Sequence, residues 1–376
     1  MDKRKSLKDA KRIVVKVGTS TLTHKTGRLN LHRMETLVRE LSDLVNQGKE
    51  IILVTSAAIA AGMDRLGLKE RPTAIPEKQA LAAIGQGILM HTYETLFAEY
   101  GQIAAQILLT RDNSVRHNQY NNSRNALLTL LQMGVVPIIN ENDAIAVDEL
   151  KIGDNDTLSA IVAMIVEADL LVILSDIEGL YNNNPSLDPD AVLVSEVYGI
   201  TPEIERMAGG AGSKLGTGGM FTKLQAAKIA MNSGVMMVIA NGTRQGVVRD
   251  LINDENFGTL FVAKENRLKM RKSWLAFGRT LTGKIKVDEG CVSALTKDGK
   301  SLLPAGIVAV DGNFEAGDTV SVVGEDEREI ARGIVNYSTG DLTKIMGLKT
   351  SEIEKALPGS KVHTEVIHRD SMVLLI

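Results

Sequence analysis

The segment from Ala208 to Lys223 has the composition of a phosphate-binding loop. It holds six glycines, and its last four residues begin the helical pattern MFTKLQAAKIAMNSG. Glycine lets backbone N–H groups approach a ligand closely, and a helix N-terminus attracts negative charge. Lys223 lies in the first turn of this predicted helix, where its ammonium group can reach a phosphate. Taken alone, the segment is equally consistent with a surface loop, because glycine clusters are common in loops.

Four further polar motifs lie where predicted β-strands end. They are KVGTS from Lys16, TSAAIAAG from Thr55, INENDAIAVDELKIGDNDTLSA from Ile139 and LSDIEGLY from Leu174. Each motif alone is typical of an ordinary strand end or helix start. The carboxyl ends of parallel strands lie at one edge of a sheet, and ligands bind there. We therefore expect the four motifs and the glycine-rich loop to converge on one crevice.

The elements that position these motifs alternate between strand and helix. The predicted strands are runs of β-branched and other apolar residues, at 12–17, 51–55, 103–109, 135–139 and 170–174. Helical spacing of apolar residues covers 31–47, 78–100, 124–133 and 156–167. This alternation predicts an α/β fold, a three-layer αβα sandwich with a mainly parallel sheet.

A change in composition after residue 262 predicts a second domain. We expect the α/β domain over 1–263 and a basic linker or helix over 264–280, where the segment Lys264–Arg279 has six positive charges and one negative charge. Short apolar runs separated by glycine turns then predict a small, mostly β domain over 281–360. Residues 361–376 are expected to form a final strand or tail.

Composition excludes several classes of protein. The net charge of −3 argues against a protein dominated by nucleic-acid binding. A single cysteine, Cys291, excludes an internal disulfide and a cysteine-based metal cluster. The histidines lack metal-ligand spacing, so we predict no metal site built from protein side chains. No run approaches the ~20 apolar residues of a membrane-spanning helix, and no GxxxxGK[ST] or GxGxxG motif occurs in a suitable position.

Together these motifs resemble the amino acid kinase family, and within it the members that phosphorylate glutamate. The resemblance depends on KVGTS, IINENDAIAVDE, GDNDTLSA, LSDIEGLY and GTGGMFTK. The C-terminal domain is similar to a PUA domain through GKSLLPAGI, VDGNFEAGD and GIVNYS. The resemblance covers nearly the whole chain.

The resemblance implies ATP-dependent phosphorylation of the γ-carboxylate of L-glutamate, the first step of proline biosynthesis. ATP would be the co-substrate, and Mg²⁺ would be held mainly by the nucleotide phosphates. Proline would be a feedback inhibitor. The resemblance also implies a homo-oligomer, either a dimer or a tetramer, and we expect a cytoplasmic location.

The resemblance also implies roles for residues of this chain. Lys16 and Lys223 would be catalytic and would bind the transferred phosphoryl group, and Asp156 would hold both lysines in place. The residues that would bind glutamate are Ser56, Ala57, Asn140, Asp143 and Asn155. The residues that would bind ATP are Lys16, Ser175, Asp176, Thr217, Gly218, Gly219, Met220, Phe221, Thr222 and Lys223.

One position departs from the family pattern. Ala57 follows Ser56 where the family usually has glycine. A positive φ at an alanine costs ~1–2 kcal/mol. We therefore expect Ala57 to adopt an ordinary helical φ and still to present its N–H group to the substrate.

Two alternatives remain open from the sequence. The first is a family member that phosphorylates another acid, such as aspartate or N-acetylglutamate, or a nucleoside monophosphate. The second is RNA binding through the β domain. Residues 281–360 contain 9 Lys and Arg against 13 Asp and Glu, a net charge of −4 that is poor for contacts with phosphates.

Overall fold

The computed structural model describes residues 3–110, 117–145, 155–185, 187–207, 219–253, 255–263, 281–348, 352–357 and 363–375. The chain divides into two compact units, Met1–Arg267 and Leu268–Ile376. The division falls inside the predicted basic segment 264–280, which lies outside the described residues. The predicted domain bounds of 1–263, 281–360 and 361–376 stay predictions.

The first unit is built on an eight-stranded sheet. In chain order the strands are β1 Arg12–Val17, β2 Glu50–Val54, β3 Ile103–Leu109, β4 Val135–Glu141, β5 Leu170–Ser175, β6 Glu196–Val197, β7 Met236–Asn241 and β8 Thr259–Phe261. Their order across the sheet is β3-β4-β2-β1-β5-β7-β8-β6. The β7–β8 pair is antiparallel and the other pairs are parallel, so the predicted mainly parallel sheet is confirmed.

Helices cover both faces of this sheet. In chain order they are α1 Thr19–Leu22, α2 Leu31–Asn46, α3 Ala58–Leu66, α4 Ile75–Glu99, α5 His117–Gln132, α6 Asn155–Ile165, α7 Pro202–Met207, α8 Met220–Asn232 and α9 Val247–Ile252. Buried residues of α2, α4 and α9 form one core with alternate residues of β1. On the other face α6 contacts β1 and α8 contacts β7. This arrangement confirms the three-layer αβα fold.

The alternation of β1 determines where its lysine lies. Ile13, Val15 and Val17 belong to the core beneath α2 and α4. Successive side chains of a strand point to opposite faces, so Val14 and Lys16 face the α6 and α8 layer. β1 is the central strand at which the order of connection reverses, with β2 on one side and β5 on the other. A strand that is buried on both faces therefore presents one cation near its carboxyl end.

Helices α3 and α4 pack unusually closely through two glycines. A Cβ atom added to Gly85 of α4 would lie 1.7 Å from the carbonyl oxygen of Ala58, and one added to Gly62 of α3 would lie 2.1 Å from that of Leu81. Because neither position has room for a methyl group, the two helix backbones are in direct contact. The start of α3, which follows the end of β2, is thereby held against α4.

The second unit contains a five-stranded sheet of order β10-β9-β11-β12-β13. Its strands are β9 Leu281–Val287, β10 Ile307–Gly312, β11 Thr319–Val323, β12 Glu329–Ile334 and β13 Met372–Leu374. Its helices are α10 Glu289–Thr296, α11 Thr339–Ile345 and α12 Ile353–Ala356. The mostly β character predicted from the sequence is confirmed, and β13 lies near the C-terminus. Across the parts of the chain described, no helix is long and apolar enough to cross a membrane.

Substitution of Gly85 tests the close contact of α3 and α4. Gly85→Ala is expected to lower the free energy of unfolding by ~1–3 kcal/mol, because the added methyl group would displace backbone atoms of α3. Urea unfolding measures this change. Gly87→Ala is the matched control, since nothing lies within 4 Å of a Cβ atom there and α4 gains helix propensity. Equal stability of the two variants would contradict the proposed contact.

Candidate functional site

A buried aspartate between two lysines lies at the carboxyl edge of the sheet. Asp156 Oδ1 is 2.6 Å from Lys16 Nζ, and Asp156 Oδ2 is 3.0 Å from Lys223 Nζ. The hydroxyl of Thr222 also donates to Asp156 Oδ2, at 3.1 Å. The exposed fractions are 1% for Asp156, 7% for Lys16 and 5% for Lys223. Three elements, β1, α6 and α8, thus each bring one charged group to the same point.

The electrostatics of this trio favour an ionised Asp156. Burial by itself raises the pKa of the Asp156 carboxyl group. The positive charges of Lys16 and Lys223, together with their hydrogen bonds, outweigh burial and leave the pKa below its ordinary value. One carboxylate and two ammonium groups give a net charge of about +1 at the wall of the site, which suits a bound anion such as a phosphate.

A second cluster of polar side chains lies beside the trio and centres on two side-chain amides, those of Asn140 and Asn155, which we call the amide group. Asn155 Nδ2 lies 2.7 Å from the carbonyl oxygen of Thr55, 2.9 Å from Ser56 Oγ and 2.9 Å from Asn140 Oδ1. Asn155 and Asp156 are consecutive residues in the first turn of α6. The N-terminus of α6 therefore contributes one residue to the amide group and the next residue to the trio of Lys16, Asp156 and Lys223.

The trio and the amide group line one cavity of about 960 Å³. The lining brings together residues of the KVGTS, TSAAIAAG, INEND and LSDIEGLY motifs, as the sequence predicted. Of the predicted catalytic and substrate-binding residues, the cavity is lined by Lys16, Ser56, Ala57, Asn140, Asp143, Asn155, Asp156 and Lys223. Four cationic and four acidic side chains of the described residues line it, so mixed charge faces any ligand.

The predicted ATP-binding residues are brought together only in part. Ser175 and Asp176 line the cavity at the end of β5, and Ser175 Oγ donates to Asp176 Oδ1 at 3.1 Å. Gly219 immediately precedes α8, and the first three residues of α8 are Met220, Phe221 and Thr222. Of the described residues 219–223, Lys223 alone lines the cavity. Thr217, Gly218 and the glycines at 209–212 lie outside the described residues.

The predicted backbone conformation of Ala57 was wrong. Ala57 has φ 80° and ψ 9°, which is left-handed, and it stands immediately before α3. The chain turns there from β2 into a helix whose direction is set by the contact of Gly62 and Gly85 between α3 and α4. We attribute the strained backbone to this packing, which compensates a cost of ~1–2 kcal/mol.

Sequence reasoning missed two cations that line the cavity. Arg71 and Lys78 come from the connection between α3 and α4 and from the first part of α4. Lys78 is half-buried and Arg71 is exposed, and the side chain of neither forms an ion pair or hydrogen bond with another described residue. The sequence carried no signal for either, because a basic residue in a proline-containing loop, like Arg71, or at the start of a helix, like Lys78, is ordinarily a solvated surface charge.

A family model for the amino acid kinase family matches residues 11–241. The chain belongs to the amino acid kinase family. A PUA domain model matches residues 283–357. The glutamate 5-kinase of Moorella thermoacetica is 53% identical, covering 99% of this chain and 98% of that protein. The glutamate 5-kinase of Carboxydothermus hydrogenoformans is 50% identical, covering 99% of this chain and 100% of that protein.

Solved structures of other kinases also align with this amino acid kinase. The UMP kinase of Bacillus anthracis aligns with 67% of this chain and 96% of its own chain, with 15% sequence identity and a TM-score of 0.48.

Replacing Ala57 by glycine tests the strain at the start of α3. Ala57→Gly is expected to raise the free energy of unfolding by ~1 kcal/mol, because glycine adopts a positive φ without the steric cost of Cβ. Thermal or urea unfolding measures this. Ala58→Gly, one residue later inside α3, is the control and should lower stability by ~0.5–1 kcal/mol. Destabilisation by Ala57→Gly would contradict a strained Ala57.

Replacing Asp156 by asparagine tests the electrostatics of the trio. Asp156→Asn leaves Lys16 and Lys223 buried and mutually repelling, so we expect a loss of ~3–5 kcal/mol at pH 7. Because the folded pKa of Asp156 is lowered, its contribution is present above the ordinary carboxyl pKa and lost as pH falls through the folded value. The difference from wild type should therefore shrink below about pH 4.

Urea unfolding at several pH values between about 7 and 2.5 measures this difference. The control is Asp156→Asn combined with Lys223→Met, which removes the uncompensated repulsion and should recover part of the lost stability. A difference that stays constant with pH would mean that the ionised carboxylate is not the stabilising species.

Proposed function

We propose that this amino acid kinase transfers the γ-phosphoryl group of ATP to the γ-carboxylate of L-glutamate, the first step of proline biosynthesis. The observation that carries the proposal is the pair of buried lysines held by Asp156 in a cavity that also contains Asp143. The relatives at 53% and 50% identity over nearly the full chain, which are named glutamate 5-kinase, support this substrate.

The reaction needs charge neutralisation rather than a general base. A glutamate γ-carboxylate is already ionised near neutral pH, so no proton has to be removed from the nucleophile. A carboxylate ~4 Å from one phosphate charge is repelled by about 4 kcal/mol at an effective dielectric constant of ~20. Lys16 and Lys223 would offset this repulsion and stabilise the charge of the transferred phosphoryl group. Asp156 would hold both ammonium groups in place.

The remaining polar groups of the cavity match the ends of the amino acid. Asp143 would pair with the α-ammonium group of glutamate. Lys78 and Arg71, which have no carboxylate partner among the described residues, would pair with the α-carboxylate. Ser56, Ala57, Asn140 and Asn155 would orient the substrate near the lysine trio by hydrogen bonds.

ATP would be the co-substrate, in contact with Ser175, Asp176 and the start of α8. In the parts of the chain described, no three His, Cys, Asp or Glu side chains are grouped to hold a metal ion. A Mg²⁺ ion would arrive on the nucleotide phosphates and, when bound, neutralise part of their charge.

Other features implied for the chain stay predictions. We propose proline as an inhibitor whose site overlaps that of glutamate. Overlap of the two sites would make the inhibition competitive toward glutamate, which steady-state kinetics can test. A homo-oligomer and a cytoplasmic location also remain proposals. RNA binding by the PUA domain has less support, because Lys284 and Lys286 both pair with Glu327, at 2.8 and 2.9 Å.

A trapping assay tests the proposed reaction. An acyl phosphate reacts with hydroxylamine to give a hydroxamate and free phosphate. We expect ADP and glutamyl hydroxamate to form in equal amounts when the protein is incubated with ATP, Mg²⁺, L-glutamate and hydroxylamine. Aspartate, N-acetylglutamate and UMP serve as competing acceptors. Formation of ADP without hydroxamate in the presence of L-glutamate would refute the proposal. Turnover of aspartate, N-acetylglutamate or UMP, but not of L-glutamate, would also refute it.

Substitution of Lys223 tests its role in the proposed transfer. Lys223→Ala should lower kcat by ~10²–10³, because it removes a cation from the transferred phosphoryl group. Lys228→Ala is the comparison, since Lys228 lies on the same helix and pairs with Glu205 outside the cavity. It should keep near-normal kcat. Equal activity of the two variants would remove Lys223 from the chemistry.

Substitution of Lys78 tests recognition of the substrate. Lys78→Ala should raise KM for glutamate about tenfold and change kcat little, because a charge-assisted contact made equally in ground and transition states is lost. Lys69→Ala is the control, since Lys69 is exposed in the nearby connection between α3 and α4 and does not line the cavity. An unchanged KM in Lys78→Ala would exclude Lys78 from the glutamate site.

A further inference from the structure

We infer that Gln86 of α4 is a positioning residue for the amide group that binds the acceptor substrate. The inference deepens the proposed function and rests on it for its kinetic readout. Gln86 does not line the cavity, so it would act through Asn140 and Asn155 rather than on the substrate itself.

The hydrogen bonds give Asn140 one orientation. The backbone N–H of Glu141 donates to Asn140 Oδ1 at 2.9 Å, and Asn155 Nδ2 donates to the same oxygen at 2.9 Å. A backbone N–H can only donate, so the oxygen of Asn140 must face Glu141. The NH₂ group of Asn140 must then face away, and it donates to Gln86 Oε1 at 2.8 Å. Gln86 is thus the acceptor that this orientation requires.

The orientation of Asn140 in turn affects Asn155. With its oxygen in place, Asn140 accepts from the amide that also lies 2.9 Å from Ser56 Oγ. A rotated Asn140 would present its own NH₂ group to Asn155 Nδ2, and two donors would face each other. Gln86 therefore holds, through two side-chain amides, the hydroxyl of Ser56 at the cavity wall.

The packing of α4 explains how Gln86 reaches this point with little freedom. The preceding residue, Gly85, is in backbone contact with Ala58 at the start of α3. Gln86 Nε2 is buried and has no hydrogen-bond partner among the described residues. An unpaired buried donor is unfavourable. A side chain that served only to fill space would gain from an apolar replacement, so the retained function is that of Oε1 as an acceptor.

Tyr93 provides an internal comparison on the same helix. It lies seven residues after Gln86, on the same face of α4, and its hydroxyl is 2.9 Å from Thr55 Oγ1. Tyr93 contacts the side-chain hydroxyl of Thr55, whereas Asn155 Nδ2 donates to the backbone carbonyl oxygen of Thr55. Tyr93 therefore shares the helix, the helix face and the type of contact, but among the described residues it makes no bond with Asn140 or Asn155.

Three variants test the inference by steady-state kinetics and urea unfolding. Gln86→Met keeps the approximate volume and removes the acceptor, so KM for glutamate should rise about tenfold, with kcat and KM for ATP within about twofold of wild type. Gln86→Glu keeps an acceptor oxygen in either protonation state and should stay within about threefold. Tyr93→Phe should lower stability and leave KM for glutamate unchanged.

An unchanged KM for glutamate in Gln86→Met would overturn the inference. So would equal defects in Gln86→Met and Gln86→Glu, or parallel increases in both KM values, since either would indicate a purely structural role.

A measurement without substrate separates this inference from the proposed function. In the NMR spectrum of the full chain, the side-chain NH₂ signals of Asn140 and Asn155 should shift and exchange faster with solvent in Gln86→Met but not in Tyr93→Phe. Unchanged signals in Gln86→Met would overturn the inference whatever the enzyme phosphorylates. Absence of hydroxamate with wild-type protein would reject the proposed function, and the NMR result alone would then decide the role of Gln86.

Discussion

The contact of Asp156 with Lys16 and Lys223 is the constraint on which the rest of the site depends. Two ammonium groups this close to each other repel, and burial penalises each charge further. One carboxylate, shared through its two oxygens, makes both positions tolerable at once. The net positive charge that remains is directed into the cavity. An arrangement of this kind is prepared for an anion before any anion arrives.

The topology of the sheet explains why this contact lies beside an amino-acid-sized pocket. The chain moves from β1 to β2 on one side and later returns to β5 on the other, so two sets of loops meet above β1. The first set provides Ser56 and the second provides Ser175. Helix α6 spans the gap, because Asn155 faces the amides while Asp156, one residue and 1.5 Å of rise later, faces the lysines. The N-terminus of α6 would therefore position both the acceptor substrate and the phosphoryl group.

The sequence predicted this architecture because its local signals agree with the tertiary structure. The β-branched runs became β1, β2, β4 and β5, and polar motifs at their carboxyl ends met in one cavity. The motifs that hold Lys16, Asp156 and Lys223 could be predicted at one edge since a parallel sheet brings strand ends together, whereas the pairing of Asp156 with both lysines was implied by the family resemblance. Their contacts match that expectation, although their catalytic roles stay a proposal.

The features that the sequence did not predict all depend on how α3 and α4 pack. The left-handed backbone of Ala57 follows from a helix contact through Gly62 and Gly85, and periodicity carries no information about such a contact. Lys78 looked like a solvated charge at the start of a long helix. Gln86 looked like one polar residue among many. Local patterns describe single elements, whereas these residues acquire their roles from the space between two elements.

The conformation of Ala57 also limits how this position can vary among descendants of the chain. Its side chain is 6% exposed, and its φ is 80°. A β-branched residue is a severe outlier at such a φ. Asparagine tolerates the backbone but would bring an amide into the cavity wall. The exchange that keeps both this backbone and the present cavity wall is therefore that between alanine and glycine, a difference of one methyl group.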